Sequence, residues 1–452
     1  MAPSPRTEKL LALVDLVANA AQIVAEEWEK EEDAASVKGY QGTPLPTVEL
    51  YNAQRTIISA CGSFTELVHA PQSRLLEVAA EYFEARALHI ATEQRVADHL
   101  SKVDRTVGMS VFELSKIIGI IPQKLSRVMR TLCSTHIFAE VQEGRFANNS
   151  VSECLVNNEP LRAYIVSLAW DIYTASDKLP EVLTDPIKGA SNSVTCTAFQ
   201  EALGTKLARW DWLEEGVGQP DGTVKPRPAL EIFGLAMLGG GRVLGTPLYY
   251  DFPWESLSSA TIVDVGGGVG GMSIDLCKRY PPLSFVVQDR APVIEQAKTV
   301  WQREQPDALE SGRVKLMPHN FFIENPVKGA DIYLLRYILH DWEDDRCVDI
   351  LASLRTALGP HSRILIADQV MNTTLGCPEL PSAPYPLLAN YGVFTRFAHE
   401  RDLDMMTIIN GAERTPAEFR VLAERAGLEV SRIWECRGIV SITEMRLPAA
   451  SQ

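Results

Sequence analysis

Three residues of this chain have types and positions suited to moving a proton. His340 stands in "ILHDWED", Asp368 in "ILIADQ" and Glu413 in "NGAERT". Imidazole titrates close to neutrality, so a histidine can both align an attacking hydroxyl and accept its proton. An isolated histidine reads more readily as a helix cap or a core residue, and two acids shift that balance. His340 and Asp368 each close a strand-like run, at one edge of the expected sheet, and Glu413 opens a later helix. A buried carboxylate on one ring nitrogen fixes the tautomer and leaves the other nitrogen free as base. Asp341 reads as a cap or support beside that site, and the acidic run at 343–345 as a solvated helix start.

A second chemistry-bearing stretch precedes these residues: "TIVDVGGGVGGMSIDLCKRY", residues 261–280. A strand ends near Val265 and a helix begins near Gly270, so Gly266, Gly267 and Gly268 form the turn between them. Glycine there reaches positive φ without steric cost and lets a ligand approach the backbone. The letters match GxGxxG only loosely, and no GK[ST] follows, which argues against a phosphate-binding P-loop. Asp289 ends the next strand, where a carboxylate accepts hydrogen bonds from ribose hydroxyls. On these letters alone a nicotinamide cofactor and S-adenosylmethionine stay equally open.

These residues need a frame that brings strand ends together. From Ser259 onward, short apolar runs ("TIVDVG", "LSFVVQD", "RVKLMPH", "ADIYLLRYIL", "SRILIADQVM") alternate with helical ones. That rhythm implies an α/β fold with a parallel sheet covered on both faces, whose carboxyl edge binds ligands. The end of the chain reads as one more helix and a strand hairpin. Upstream, "SVFELSKIIGIIPQKLSRVMRTLCSTHIFAEVQEGRFAN" reads as helix, turn, helix and a hairpin turning at Glu143-Gly144, a winged-helix pattern. Such a pattern suggests DNA reading, with Lys124, Arg127 and Arg130 on the second helix. A formal net charge of −15 argues against nucleic-acid and anionic-membrane partners. A helix over Thr7–Glu32, a linker at Gly39–Pro46 and a poorly legible helical middle complete the pattern. The eight cysteines show no metal-type spacing and read as free thiols. With no leader-like or membrane-length apolar segment, a cytoplasmic location is expected.

The downstream motifs decide the cofactor. "VDVGGGVGG", "VVQDRAPVI", "HNFF", "LLRYILHDWEDDRCVDIL", "ILIADQVM" and "NGAERTPAEF", in that order, resemble the S-adenosylmethionine-dependent O-methyltransferases of plant and fungal small molecules, over roughly residues 75–445. The resemblance implies a Rossmann-like cofactor-binding domain (256–452) preceded by an N-terminal helix and linker (1–50), a winged-helix dimerisation domain (51–155) and a helical substrate-lining region (156–255). It implies a homodimer that does not bind DNA, with a small-molecule acceptor and no metal. Gly266 and Gly268 would lie under the methionine end of the cofactor, and Asp289, with Arg290 beside it, at the ribose. Asn320 replaces an aspartate that usually accepts from the adenine amino group. Phe321 would pack on the adenine, Trp342 would help enclose it, and Arg336 fills a position that is commonly lysine. The carboxylates of Asp368 and Glu413 would flank His340 and fix its ring. Phe233, Met237, Asp341, Met405 and Met406 are candidates for the acceptor pocket. The resemblance also leaves an alternative reaction, a cofactor-assisted pericyclic ring closure, in which the sulfonium acts only as a fixed charge.

Overall fold

The computed structural model describes residues 3–35 and 45–448; most of the expected linker at Gly39–Pro46 lies outside them. Two compact units form: residues 1–68 together with 244–452, and residues 69–243. The first 68 residues group with the end of the chain rather than with the winged region.

In the unit of residues 69–243, three strands make a small sheet in the order β1 (Met109–Ser110), β3 (Arg145–Asn148), β2 (Phe138–Gln142). Helices Val111–Ile118 and Pro122–Ser134 precede the β2–β3 wing, as the sequence pattern predicts. Ser110 and Glu113 form a capping box that starts the first of them, and Pro122 starts the second at a position where its missing N–H costs nothing. Leu114, Leu125, Met129, Leu132, Phe138 and Phe146 are buried together, so the wing is anchored to the helices by one apolar cluster. Ahead of them lie three helices, Pro71–Ala80, Tyr82–Glu93 and Val96–Leu100. Beyond them lie a two-strand hairpin, β4 (Val217–Gly218) and β5 (Val224–Lys225), and the helix Pro228–Gly245.

The other unit is built on seven strands: β6 (Thr261–Val265), β7 (Ser284–Asp289), β8 (Val314–Pro318), β9 (Ile332–Arg336), β10 (Arg363–Gln369), β11 (Glu429–Trp434) and β12 (Val440–Arg446). Their order is β11-β12-β10-β9-β6-β7-β8, with the five strands from β10 to β8 parallel and the terminal hairpin antiparallel. Near-continuous apolar runs make these strands because both faces are covered. Ile262, Phe285, Leu334 and Leu365 meet Leu276, Ala297 and Trp301 on one side. Val263, Val286, Leu335 and Ile366 meet Ile350, Leu354, Phe419 and Leu422 on the other. Truncating any one of these buried leucines to alanine costs about 2–5 kcal/mol.

Helices Pro5–Ala35 and Val48–Val68 pack together in the same unit, through Leu13, Ala20, Val24, Leu50, Ala53 and Ala60. Arg55 ties the second of them to the sheet hairpin: its Nη1 lies 2.7 Å from Glu435 Oε1, and its guanidinium stacks over Tyr391. Among the described residues no helix is long and apolar enough to cross a membrane.

Candidate active site

The two chemical regions meet at the carboxyl edge of the parallel sheet. After β6 the chain turns through Gly266–Gly270 and enters helix Gly271–Arg279. Gly268 sits at φ +60°, and a Cβ there would meet nothing within 4 Å. The turn is thus open above Gly268, and a side chain would cost both the backbone geometry and that space. Asp289, at the end of neighbouring β7, accepts from Gly268 N at 2.9 Å and from Arg290 N at 2.7 Å. A carboxylate has about four acceptor positions, so Asp289 keeps capacity for ligand hydroxyls. Below the turn, buried Asp264 accepts from Ser273 Oγ, and burial pushes its carboxyl up to about 6.

On the far side of the turn stands an aromatic group. Phe321 reaches Gly266, where it would be 3.5 Å from an added Cβ, and its ring lies 6.2 Å from that of Trp342. Phe322, which sequence reasoning passed over, joins them at 4.9 and 5.0 Å. Asn320 is exposed, and its Oδ1 accepts from Phe322 N at 3.1 Å. Arg290 is exposed at the start of helix Ala291–Glu304. Arg336 is the last residue of β9, and its Nε and Nη2 are buried without a hydrogen-bond partner among the described residues.

His340 does not end a strand, as the sequence suggested. β9 stops at Arg336, and His340 lies in a short 3-10 turn, Leu339–Asp341, after Tyr337 takes a left-handed conformation at φ +55°. The apolar letters "YIL" continue past the strand because they pack under the turn: Ile338 and Leu339 are buried. The His340 ring stacks on Tyr337, and Nδ1 lies 2.9 Å from Glu413 Oε1. Glu413 is also displaced from its expected place: it lies in the loop before helix Pro416–Arg425, which Thr415 caps. Its backbone N–H donates to Asp402 Oδ1 at 2.8 Å.

The loop carrying Glu413 is fastened to the turn carrying His340. Ala412 N donates to the His340 carbonyl at 2.9 Å, and a Cβ on Gly411 would sit 2.2 Å from that same oxygen. Only glycine permits this approach. Arg414 donates to the carbonyls of Leu339 and Trp342 at 2.8 and 2.7 Å and pairs with Asp344 at 2.9 Å. Gln369 Nε2 donates to Glu413 Oε1 at 2.8 Å, sharing the oxygen that faces His340. Gly411, Arg414 and Gln369 were not singled out from sequence. The quoted motifs contain all three, and a charged or amide side chain within apolar text was the available signal.

The two expected flanking acids behave differently. Glu413 contacts the ring, whereas neither oxygen of buried Asp368 has a hydrogen-bond partner among the described residues. Burial pushes Asp368 up to about 6, although the nearby His340 pulls it down. Nor is the second ring nitrogen left free: Asp341 Oδ1 lies 3.3 Å from Nε2. Burial alone would lower the basicity of His340, but Glu413, Asp341 and Asp368 outweigh it and push the imidazole up to about 10. Burial would raise Glu413, and the charge of His340 instead holds it below the usual range.

Of the pocket candidates, Met405 is buried and Met406 half-buried on helix Arg396–Ile409, directly ahead of the Glu413 loop. Phe233 and Met237 belong to the unit of residues 69–243, on helix Pro228–Gly245. There Phe233 packs edge-on against Trp210 and Met237 is exposed.

Comparison with known proteins bears on what this geometry serves. An O-methyltransferase domain family matches residues 249–429, and an O-methyltransferase dimerisation domain matches residues 76–158. The O-methyltransferase gedA of Aspergillus terreus is 50% identical over 96% of each chain. The O-methyltransferase tpcA of Aspergillus fumigatus is 49% identical, over 97% of this chain and 96% of its own. Among solved structures, CalO1, a methyltransferase in calicheamicin biosynthesis in its S-adenosylhomocysteine-bound form, is 28% identical with a TM-score of 0.64, covering 84% of this chain and 98% of that one. A pericyclic reaction enzyme superposes with a TM-score of 0.66 at 22% identity over 96% of this chain and 100% of its own, a likeness of fold alone. Near-complete coverage by curated relatives at half identity, on a sheet of this topology, places the chain in the S-adenosylmethionine-dependent O-methyltransferase family.

Proposed function

We propose that the protein methylates a hydroxyl of a small secondary metabolite, with His340 as general base. The observation that supports this reading most is the buried Nδ1–Glu413 hydrogen bond at 2.9 Å, which orients the ring and stabilises its protonated form. When bound, S-adenosylmethionine supplies a methyl group on a sulfonium, which an oxygen nucleophile displaces in line. The chain has residues that fit this cofactor. Gly268 offers open backbone beneath the methionine end, and Asp289 offers acceptor capacity for the ribose hydroxyls. Arg336 presents buried guanidinium nitrogens that no group among the described residues accepts from, suited to the cofactor's carboxylate. Phe321 and Trp342, with Phe322, form an apolar wall for the adenine, and exposed Asn320 and Arg290 are proposed to meet the adenine and the ribose.

Within this reading His340 aligns the acceptor oxygen and takes its proton, while Glu413 balances the imidazolium that results. Asp368 adds a buried negative charge that favours the same state. Met405 and Met406, whose thioethers adapt to varied shapes, are proposed walls for the acceptor. The matched dimerisation domain supports a homodimer. The intact His340–Glu413 pair favours methyl transfer over ring closure, because ring closure needs no base at the acceptor oxygen. Incubation with S-adenosylmethionine and a panel of phenolic and enolic polyketides tests the reading. Methylated product and S-adenosylhomocysteine are expected in equal amounts; a converted acceptor without S-adenosylhomocysteine overturns it.

A further inference from the structure

We propose that Asp341 is a latch on the base: its carboxylate holds the Nε2 edge of His340 and gives up that place to the acceptor hydroxyl. The inference rests on His340 being the base. Neutral imidazole has one N–H donor and one bare acceptor nitrogen, so it can satisfy one carboxylate only. Here both nitrogens face carboxylates, Nδ1 at 2.9 Å and Nε2 at 3.3 Å. That pattern matches the doubly protonated ring, whose two donors meet two anions, and a ring in this state has no free nitrogen with which to accept.

The surroundings hold the same state from every side. Asp341 lies on the turn of His340 itself, Glu413 comes from the loop before helix Pro416–Arg425, and Asp368 from the end of β10. Tyr337 covers one ring face. Behind Glu413 stand Gln369, whose amide donates to it, and Arg401, whose charge acts on it. Asp402 holds the Glu413 backbone, and Arg414 acts on Asp368 through charge. Of the three carboxylates, Asp341 is the most exposed, with about a fifth of its side chain accessible, while Glu413 is fully covered and Asp368 buried. Asp341 is thus the carboxylate nearest to solvent.

The proton balance follows directly. Asp341 leaves Nε2 carrying its proton, and the N–H bond pair stays on nitrogen as the bare acceptor. The acceptor O–H then donates its proton to Nε2 while its oxygen bonds to the methyl carbon and the carbon–sulfur pair returns to sulfur. Asp341 releases its proton to water and re-forms the pair with the imidazolium.

The test is the titration of His340 in the whole protein, read from ¹³C-labelled histidine by NMR, with His340→Gln identifying the resonance. In Asp341→Asn, which keeps the shape and an acceptor oxygen but removes the charge, His340 should titrate about one unit or more lower than in wild type. The acid limb of kcat/KM for a methylated acceptor should move down with it, and Asp341→Glu should restore both. A resonance and a pH profile that stay in place in Asp341→Asn overturn the latch, as does a moved resonance with an unmoved profile. Asp341→Ser serves as a second uncharged variant should Asp341→Asn fold poorly. If His340→Gln still methylates, the base reading itself falls, whatever the titration shows.

Discussion

At the scale of single residues, the chemistry turns on how much charge surrounds one imidazole. His340 is held as a cation by Glu413, Asp341 and Asp368 against the cost of burial, up to about 10 from an ordinary value of 6.5. A group whose pKa is raised on folding contributes stability fully below its unfolded value, and that contribution is lost as pH rises through the folded value. The wild-type protein should therefore lose urea resistance between about pH 6.5 and 10 relative to His340→Gln. Denaturation midpoints at pH 6, 8 and 10 check this, and parallel curves for the two proteins contradict it. Removing the acid on Nδ1 should be felt mainly in turnover: Glu413→Gln is expected to lower kcat by about 10²-fold or more with little change in cofactor affinity. Steady-state kinetics beside calorimetry of cofactor binding separates the two effects. That acids would flank His340 followed from the resemblance, which named Glu413 and Asp368 alike and did not tell which of them bonds the ring. The place of Asp341 on the opposite nitrogen was not legible, because it depends on how a 3-10 turn rotates consecutive side chains around the ring.

At the scale of elements, a loop and a turn have to be held together for that arrangement to exist. Gly411 and Arg414 do this from one side, and Gln369 at the end of β10 does it from the other. A methyl group at Gly411 has no room beside the His340 carbonyl, so Gly411→Ala should cost about 1–3 kcal/mol of stability. It should also depress kcat while S-adenosylmethionine still binds. Thermal unfolding and binding calorimetry on the same preparation report both, and a variant with wild-type kcat removes the loop from the account. The strands were legible because both faces of the sheet are covered and their letters run apolar without a break. The ends were less so: "YIL" after Arg336 is as apolar as β9 itself, yet the backbone leaves the sheet there at Tyr337.

At the scale of the whole chain, the first 68 residues belong with the sheet unit. Local periodicity identifies helix Pro5–Ala35, but it cannot reveal that the helix packed on it, Val48–Val68, reaches Glu435 through Arg55, 380 residues away. The winged pattern was legible from its letters, but the same elements serve DNA reading or self-association, and it was the resemblance that pointed to self-association, in line with the matched dimerisation domain. Within residues 76–158, matched by the dimerisation family, Leu76 and Phe83 are more than half exposed on consecutive helices. If this face meets a second copy, Leu76→Asp with Phe83→Asp should convert a dimer to a monomer in light scattering. An unchanged mass contradicts that assignment of the face.

The most direct test of the central claim is methyl transfer by His340→Gln, followed as S-adenosylhomocysteine formation, alongside its affinity for S-adenosylmethionine. The account predicts a loss of about 10²–10⁴-fold in turnover with cofactor affinity within a few-fold of wild type. A His340→Gln protein that keeps most of its turnover at neutral pH would contradict it.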